Sequence, residues 1–125
     1  DQGGNLFVIR STQAHNLHSL WDRGLGLFAY RPHLRFSRIQ RIAQRIENQY
    51  PRSYFGRKIT ITDPAVWARE SFVLAKNVAY HLPENTVPSR AYVKAGRAVV
   101  EQRVALAGYR LAYLLNQVYR SRAGS

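Results

Sequence analysis

The sequence predicts an all-α fold, and three observations carry that expectation. Apolar residues recur at helical spacing over long stretches, helix start and stop signals bracket those stretches, and the only β-prone run is short. The run is Asn5-Leu6-Phe7-Val8-Ile9-Arg10, which follows the Gly3-Gly4 turn signal. It is too short to define a sheet.

The helices follow in order. Asn16 is placed to cap a short helix running to about Arg23, where Gly24 and Gly26 stop it. Ser37 is placed to cap a second, with Ile39, Ile42, Ala43 and Ile46 on one face and Arg38, Arg41 and Arg45 beside them. Pro51 ends that helix, and residues 51–62 read as a loop. Asp63-Pro64 is a strong start signal, a capping carboxylate before a proline at the first helical position. Trp67, Ser71, Leu74 and Val78 then recur at helical spacing up to Pro83. Ser89 opens the longest segment, whose stripe of Val93, Val100, Val104, Ala107, Leu111, Leu114 and Val118 covers about seven turns. Trp21, Trp67 and this stripe are expected to pack, with Gly108 allowing a close neighbour.

Length and composition bound the rest. The 125 residues suffice for one domain, and 46% hydrophobic content supplies one core. No stretch has the ~18 uninterrupted apolar residues of a membrane span. With no cysteine, disulfides and thiolate metal sites are excluded. With no methionine either, the chain is expected to be a processed product or part of something longer. The net charge of +12 favours polyanionic partners, and residues 23–58 hold nine basic residues against one acid, Glu47. That region reads either as a solvated helix face or as a track for a phosphate backbone, with Tyr50 and Tyr54 available to stack on bases.

The sharpest local feature is His15-Asn16-Leu17-His18-Ser19-Leu20-Trp21-Asp22. Residues four apart stand on one helix face, so His18 and Asp22 can close on one metal ion, and both donor types suit zinc. The same spacing serves an ordinary surface ion pair, and two ligands do not complete a site. His33 and His81 sit in loop or helix-end contexts.

Taken together, Gly3-Gly4-Asn5, then Asn16-Leu17-His18-Ser19-Leu20-Trp21-Asp22, then Trp67-Ala68-Arg69-Glu70-Ser71, then the run from Val99 to Ala112 and Leu114-Leu115-Asn116 form an ordered series. The series resembles the trinuclear-zinc, single-strand-specific nucleases of the mung-bean-nuclease type, over nearly the whole chain. The resemblance implies the mainly helical fold shared with zinc-dependent phospholipase C, and the C-terminal portion of it. It implies that His18 and Asp22 bind one of three zinc ions, with no catalytic residue beyond the metal ligands. Asn5, flanked by Gly3 and Gly4, is implied to bind a nucleobase. His15 departs from the family pattern and is not assigned as a ligand. The remaining zinc ligands lie upstream in the family, so a complementary N-terminal half is expected as partner, and the chain alone is expected to be inactive.

The implied activity is zinc-dependent hydrolysis of single-stranded DNA and RNA to 5′-mononucleotides, with possible 3′-nucleotidase activity. The implied location is secreted or periplasmic. Two other readings stay open. A phospholipase C relative would hydrolyse phosphatidylcholine instead of single-stranded DNA. A non-catalytic basic helical module would bind nucleic acid without zinc and lose affinity steeply with salt.

Overall fold

The computed structural model describes residues 2–11, 14–28 and 35–123. Five α-helices form among them: α1 (Leu17–Asp22), α2 (Phe36–Gln49), α3 (Arg52–Phe55), α4 (Pro64–Leu74) and α5 (Arg90–Ala123). Short 3-10 turns lie at Gln2–Gly4, Gly24–Gly26 and Gly56–Thr60, and a π-helical turn over Ala75–Ala79 prolongs α4. The fold is all-α. The β-prone run forms no strand among the described residues; its single β contact is an isolated antiparallel bridge between Val8 and Asn16. No described helix is long and apolar enough to cross a membrane.

The chain divides into two compact units, Asp1–Leu34 with Ala68–Val100, and Arg35–Trp67 with Glu101–Ser125. In the first unit, Ile9, Ala14, Leu17, Leu20, Leu25 and Leu82 form the buried cluster, with Phe7, Trp21, Tyr80, Tyr92, Val93 and Val100 packed around it. Each fully buried Leu contributes about 1.5–3 kcal/mol. The short helix α1 supplies two of them, Leu17 and Leu20, three residues apart and so on one face. Its opposite face is left to solvent. Asn16 caps α1 as its sequence position predicts, with Oδ1 accepting the Ser19 N–H at 2.8 Å. After Asp22 and Arg23 the chain turns at Gly24, φ +57°, in the left-handed region that glycine enters without cost.

Leu25 follows with φ +52° and is 1% exposed. Its side chain sits on α5 at Gly96, where an added Cβ would come within 2.7 Å of Leu25 Cδ2. Gly96, and not the expected Gly108, is therefore the close-approach glycine of α5; nothing described lies within 4 Å of a Cβ placed at Gly108.

The second unit is organised around Ile46, Tyr50, Phe55, Ile59 and Leu106, with Ile42, Ala105, Tyr109 and Tyr113 against them. Helix α2 starts one residue before Ser37, because the N–H groups of Arg38 and Ile39 close on the Arg35 carbonyl at 2.8 and 3.4 Å. Arg35 is the cap residue and makes no side-chain cap bond. Ile46 is buried and Ile42 half-buried, whereas Ile39 and Ala43 are exposed, so the packed face is narrower than the pattern suggests.

The expected loop at 51–62 instead contains α3 and a 3-10 turn. Burial of Phe55 and Ile59 draws it inward, with Gly56 at φ +52° between them. A single turn is too short to leave a periodic signal. Asp63 does cap α4, its Oδ1 accepting the Ala65 N–H at 2.8 Å. No residue of α4 is buried, so Trp67 lies half-buried instead of in a core stripe. Its indole N–H donates to the Ile61 carbonyl at 2.8 Å, and the Arg110 guanidinium stands 5.3 Å from its ring centre.

Ser89 caps α5 through its Oγ, which accepts the Tyr92 N–H at 3.1 Å. The predicted stripe of α5 holds only in part. Val93 and Val100 pack in the first unit, but Val104, Leu111 and Val118 are 45%, 58% and 50% exposed. Leu106 and Arg110 are buried instead, together with Glu101. The C-terminal half of α5 is apolar on two faces, and the second unit packs on the one that carries Ala105, Leu106, Tyr109 and Tyr113.

Candidate active site

Helix α1 brings His18 and Asp22 together. His18 Nε2 lies 3.1 Å from Asp22 Oδ2, and their side chains are 45% and 67% exposed. The pair faces outward while Leu17 and Leu20 face the core, so burial of one side of α1 fixes the direction of the other. Two atoms bound to one tetrahedral zinc at ~2.0–2.2 Å stand about 3.3 Å apart, which the observed separation approaches.

The second nitrogen of the imidazole is also held. His18 Nδ1 lies 3.1 Å from the Gly3 carbonyl oxygen. A carbonyl only accepts, so this bond assigns the proton to Nδ1 and leaves the lone pair of the neutral ring on Nε2. That is the nitrogen facing Asp22. An N–H bonded to a backbone carbonyl is the usual support of a metal-binding histidine, because it fixes both tautomer and ring orientation. The donor set therefore fits one zinc ion in part.

The support comes from the Gly3-Gly4-Asn5 turn. Gly3 and Gly4 have φ of +67° and +86°. A Cβ on Gly4 would lie 3.2 Å from the His18 backbone nitrogen and 3.4 Å from Leu17 Cβ, so the turn passes tightly over the start of α1. One backbone bond closes the turn, Phe7 N–H to the Gly4 carbonyl at 3.3 Å, and another ties the segment to the helix, Leu17 N–H to the Phe7 carbonyl at 2.9 Å. Asn5 is exposed, and its Nδ2 donates to the Gln2 carbonyl at 2.9 Å. This bond uses one N–H of the amide and braces the side chain on its own turn. The structure thus places Gly3 and Gly4 against His18, with Asn5 next in the same turn, although ten residues separate Asn5 from the helix cap at Asn16.

Trp21 anchors the helix from behind. Its indole N–H donates to the Tyr92 hydroxyl at 2.9 Å, and that hydroxyl donates to the Ala79 carbonyl at 2.6 Å. The rings meet edge to face at 6.4 Å. Burial pushes the Tyr92 hydroxyl above its ordinary value, offset in part by the bond from Trp21. Neither the Gly3 carbonyl nor Tyr92 was identifiable as part of this support from sequence, since a backbone oxygen and a lone tyrosine carry no spacing signal.

His15 lines a cavity of about 660 Å³ together with Ile9, Arg10, Leu20 and Arg97. His81 is exposed at the end of the π-helical turn, and His33 lies outside the described residues. Among the described residues no group of three or more His, Cys, Asp or Glu side chains is arranged to hold a metal.

Comparison with known proteins adds the family. The S1/P1 nuclease family matches residues 1–120, which span both the Gly3-Gly4-Asn5 turn and the His18–Asp22 helix and reach nearly to the end of α5. No curated protein and no solved structure gives a match. With a match over almost its whole length, an all-α fold and the turn braced on the His–Asp helix, the chain belongs to the S1/P1 nuclease family.

Proposed function

We propose that this chain supplies His18 and Asp22 as two ligands of one zinc ion in a nuclease that hydrolyses single-stranded DNA and RNA to 5′-mononucleotides. The observation that carries the reading is the 3.1 Å His18–Asp22 pair whose ring is oriented from behind by the Gly3 carbonyl. A solvated ion pair has no need of that second contact. The pair is two ligands short of a closed tetrahedral site. The reading therefore includes a complementary N-terminal half that brings the remaining ligands of a three-zinc cluster, without which the chain is inactive. A secreted or periplasmic location and 3′-nucleotidase activity belong to the same reading.

Zinc held by these residues would supply Lewis acidity toward water and toward the phosphate. The residues of this chain hold and orient. His18 offers Nε2 because Gly3 keeps the proton on Nδ1. Asp22, held at i+4 on the same turn, supplies negative charge to the same ion. Asn5 stands two residues beyond Gly3 and offers a donor and an acceptor to the edge of an unpaired base. Gly3 and Gly4 let that base approach the backbone. A base inside a duplex cannot reach such a turn without leaving its stack, which selects single strands.

The test is metal analysis and turnover of the complete enzyme with His18→Ala and Asp22→Asn. Both variants should lose zinc affinity by more than the ~10- to 100-fold that changes behind a ligand cost, with single-stranded DNA hydrolysis falling in parallel. Far-UV circular dichroism should stay as in the parent. Full zinc content and full turnover in either variant would remove the assignment.

A further inference from the structure

The second unit carries eleven Lys and Arg against three Asp and Glu, a net +8 of the chain's +12. Two of its three acids are engaged within the fold. Asp63 caps α4. Glu101, 7% exposed, is taken by Arg45 at 2.6 Å. Arg45 is paired and Arg110 is buried, but Arg35, Arg38, Arg41, Arg52, Arg57 and Lys58 are exposed.

Part of that charge is ordered into a row. Arg38, Arg41 and Arg45 follow one another at i, i+3 and i+7 along one flank of α2, over about 10 Å of helix axis. Arg38 and Arg41 are exposed. Arg41 places Nε 3.4 Å from the Ser37 carbonyl, which steers the side chain and keeps its terminal nitrogens for a ligand.

An aromatic ring is linked to the row through α5. Arg45 bonds to Glu101, and the next residue of α5, Gln102, donates its Nε2–H to the Tyr54 hydroxyl at 2.9 Å. Tyr54 is 56% exposed. Its ring is fixed edge to face by Tyr50 at 5.3 Å and by Phe55 at 5.1 Å. A large ring held at its hydroxyl and by two neighbours, yet more than half open to water, has already lost the freedom that stacking would cost it. Arginines kept for solubility alone would need no such ring linked to them.

We propose that α2 and Tyr54 form a zinc-independent binding surface for single-stranded nucleic acid, in which Arg38 and Arg41 take phosphates and the Tyr54 ring stacks on an unpaired base. The charge selects a polyanion, and the open ring selects one with free bases over a duplex or a bare phosphate polymer. The surface deepens the nuclease reading and takes from it only the identity of the polyanion. None of its residues belongs to the His18 site.

The test is fluorescence anisotropy with the full chain in EDTA, using labelled oligo(dT) and a labelled abasic oligomer of equal length. Replacing both arginines (Arg38→Ala with Arg41→Ala) should weaken both probes. It should also flatten the dependence of log affinity on log salt by about 1.4, at ~0.7 per phosphate contact on a single strand. Tyr54→Ala should weaken oligo(dT) by roughly 5- to 150-fold, the loss of one stacked base, and leave the abasic probe unchanged. Tyr54→Phe should bind oligo(dT) like the parent. If circular dichroism shows lost helix in Tyr54→Ala, Tyr54→Leu keeps the packing on Tyr50 and Phe55 and replaces it. An unchanged salt slope in the arginine double variant, or equal loss on both probes at Tyr54, overturns the proposal. The zinc assignment is read from metal content and turnover and this surface from binding in EDTA, so a failure of one and a failure of the other appear in different measurements.

Discussion

Replacing Gly96 with Ala should destabilise the protein, whereas the same change twelve positions later on the same helix, Gly108→Ala, should stabilise it. Both glycines are interior to α5, where alanine is worth about 1 kcal/mol more than glycine. At Gly108 that gain stands alone, because nothing described lies within 4 Å of the new methyl. At Gly96 the methyl would meet Leu25 Cδ2 at 2.7 Å, Cδ1 at 3.0 Å and Cγ at 3.4 Å. Three atoms of the isobutyl group are involved, so a rotamer change merely exchanges one collision for another. Leu25 is 1% exposed and borders the cavity of about 660 Å³ at His15, which relieves only the part of the collision directed toward it. Overpacking of this kind costs about 1–3 kcal/mol, which equals or exceeds the propensity gain. The two variants should therefore differ by ~1–3 kcal/mol, with Gly108→Ala the more stable. Urea unfolding followed by far-UV circular dichroism measures both, and adding Leu25→Ala should remove most of the penalty at Gly96. Equal stabilisation by the two substitutions would refute the close contact.

Two further outcomes are expected. Asn5→Ala in the complete enzyme should raise KM for single-stranded substrate by the equivalent of one or two lost hydrogen bonds, ~1–3 kcal/mol, with zinc content unchanged; loss of zinc would show Asn5 to be a support of the metal site instead. Tyr92, whose folded value is raised by burial, holds its proton more tightly in the folded chain than in the unfolded one. Its contribution is therefore present below the unfolded value near pH 10 and is lost as pH climbs through the raised one. Unfolding titrations above pH 9 should show this loss in the parent, and less of it in Tyr92→Phe.

The helices were legible where the sequence carries its own punctuation. Asn16, Asp63-Pro64 and Ser89 all begin helices as they promise, because a cap is a local bond that needs no distant partner. Faces were less legible. Helix α5 is apolar on more than one side, so periodicity does not say which side a neighbour takes, and Leu106 is buried while Leu111 is 58% exposed. The same limit hid Gly96: a glycine tells nothing of its neighbour until the chain brings Leu25 to it. The His18–Asp22 pair was readable because four residues of helix fix its geometry. Its tether to Gly3 was not, because that contact joins a backbone oxygen to a ring fifteen positions away.

Helix α1 is only six residues long, bounded by the Asn16 cap and the Gly24 turn, and His18 and Asp22 occupy its second and last positions. This leaves the His18–Asp22 pair no tolerance for a change in chain length. Each residue advances an α-helix by about 100°, so one residue inserted between His18 and Asp22 would swing the carboxylate about a quarter turn away from the imidazole. Slippage toward either end would run into a cap that cannot move or a glycine already turned left-handed. An insertion beyond Gly26 would leave the pair in register, since the helix has ended before it. Substitution can tune this segment, but insertion or deletion within it separates the two donors.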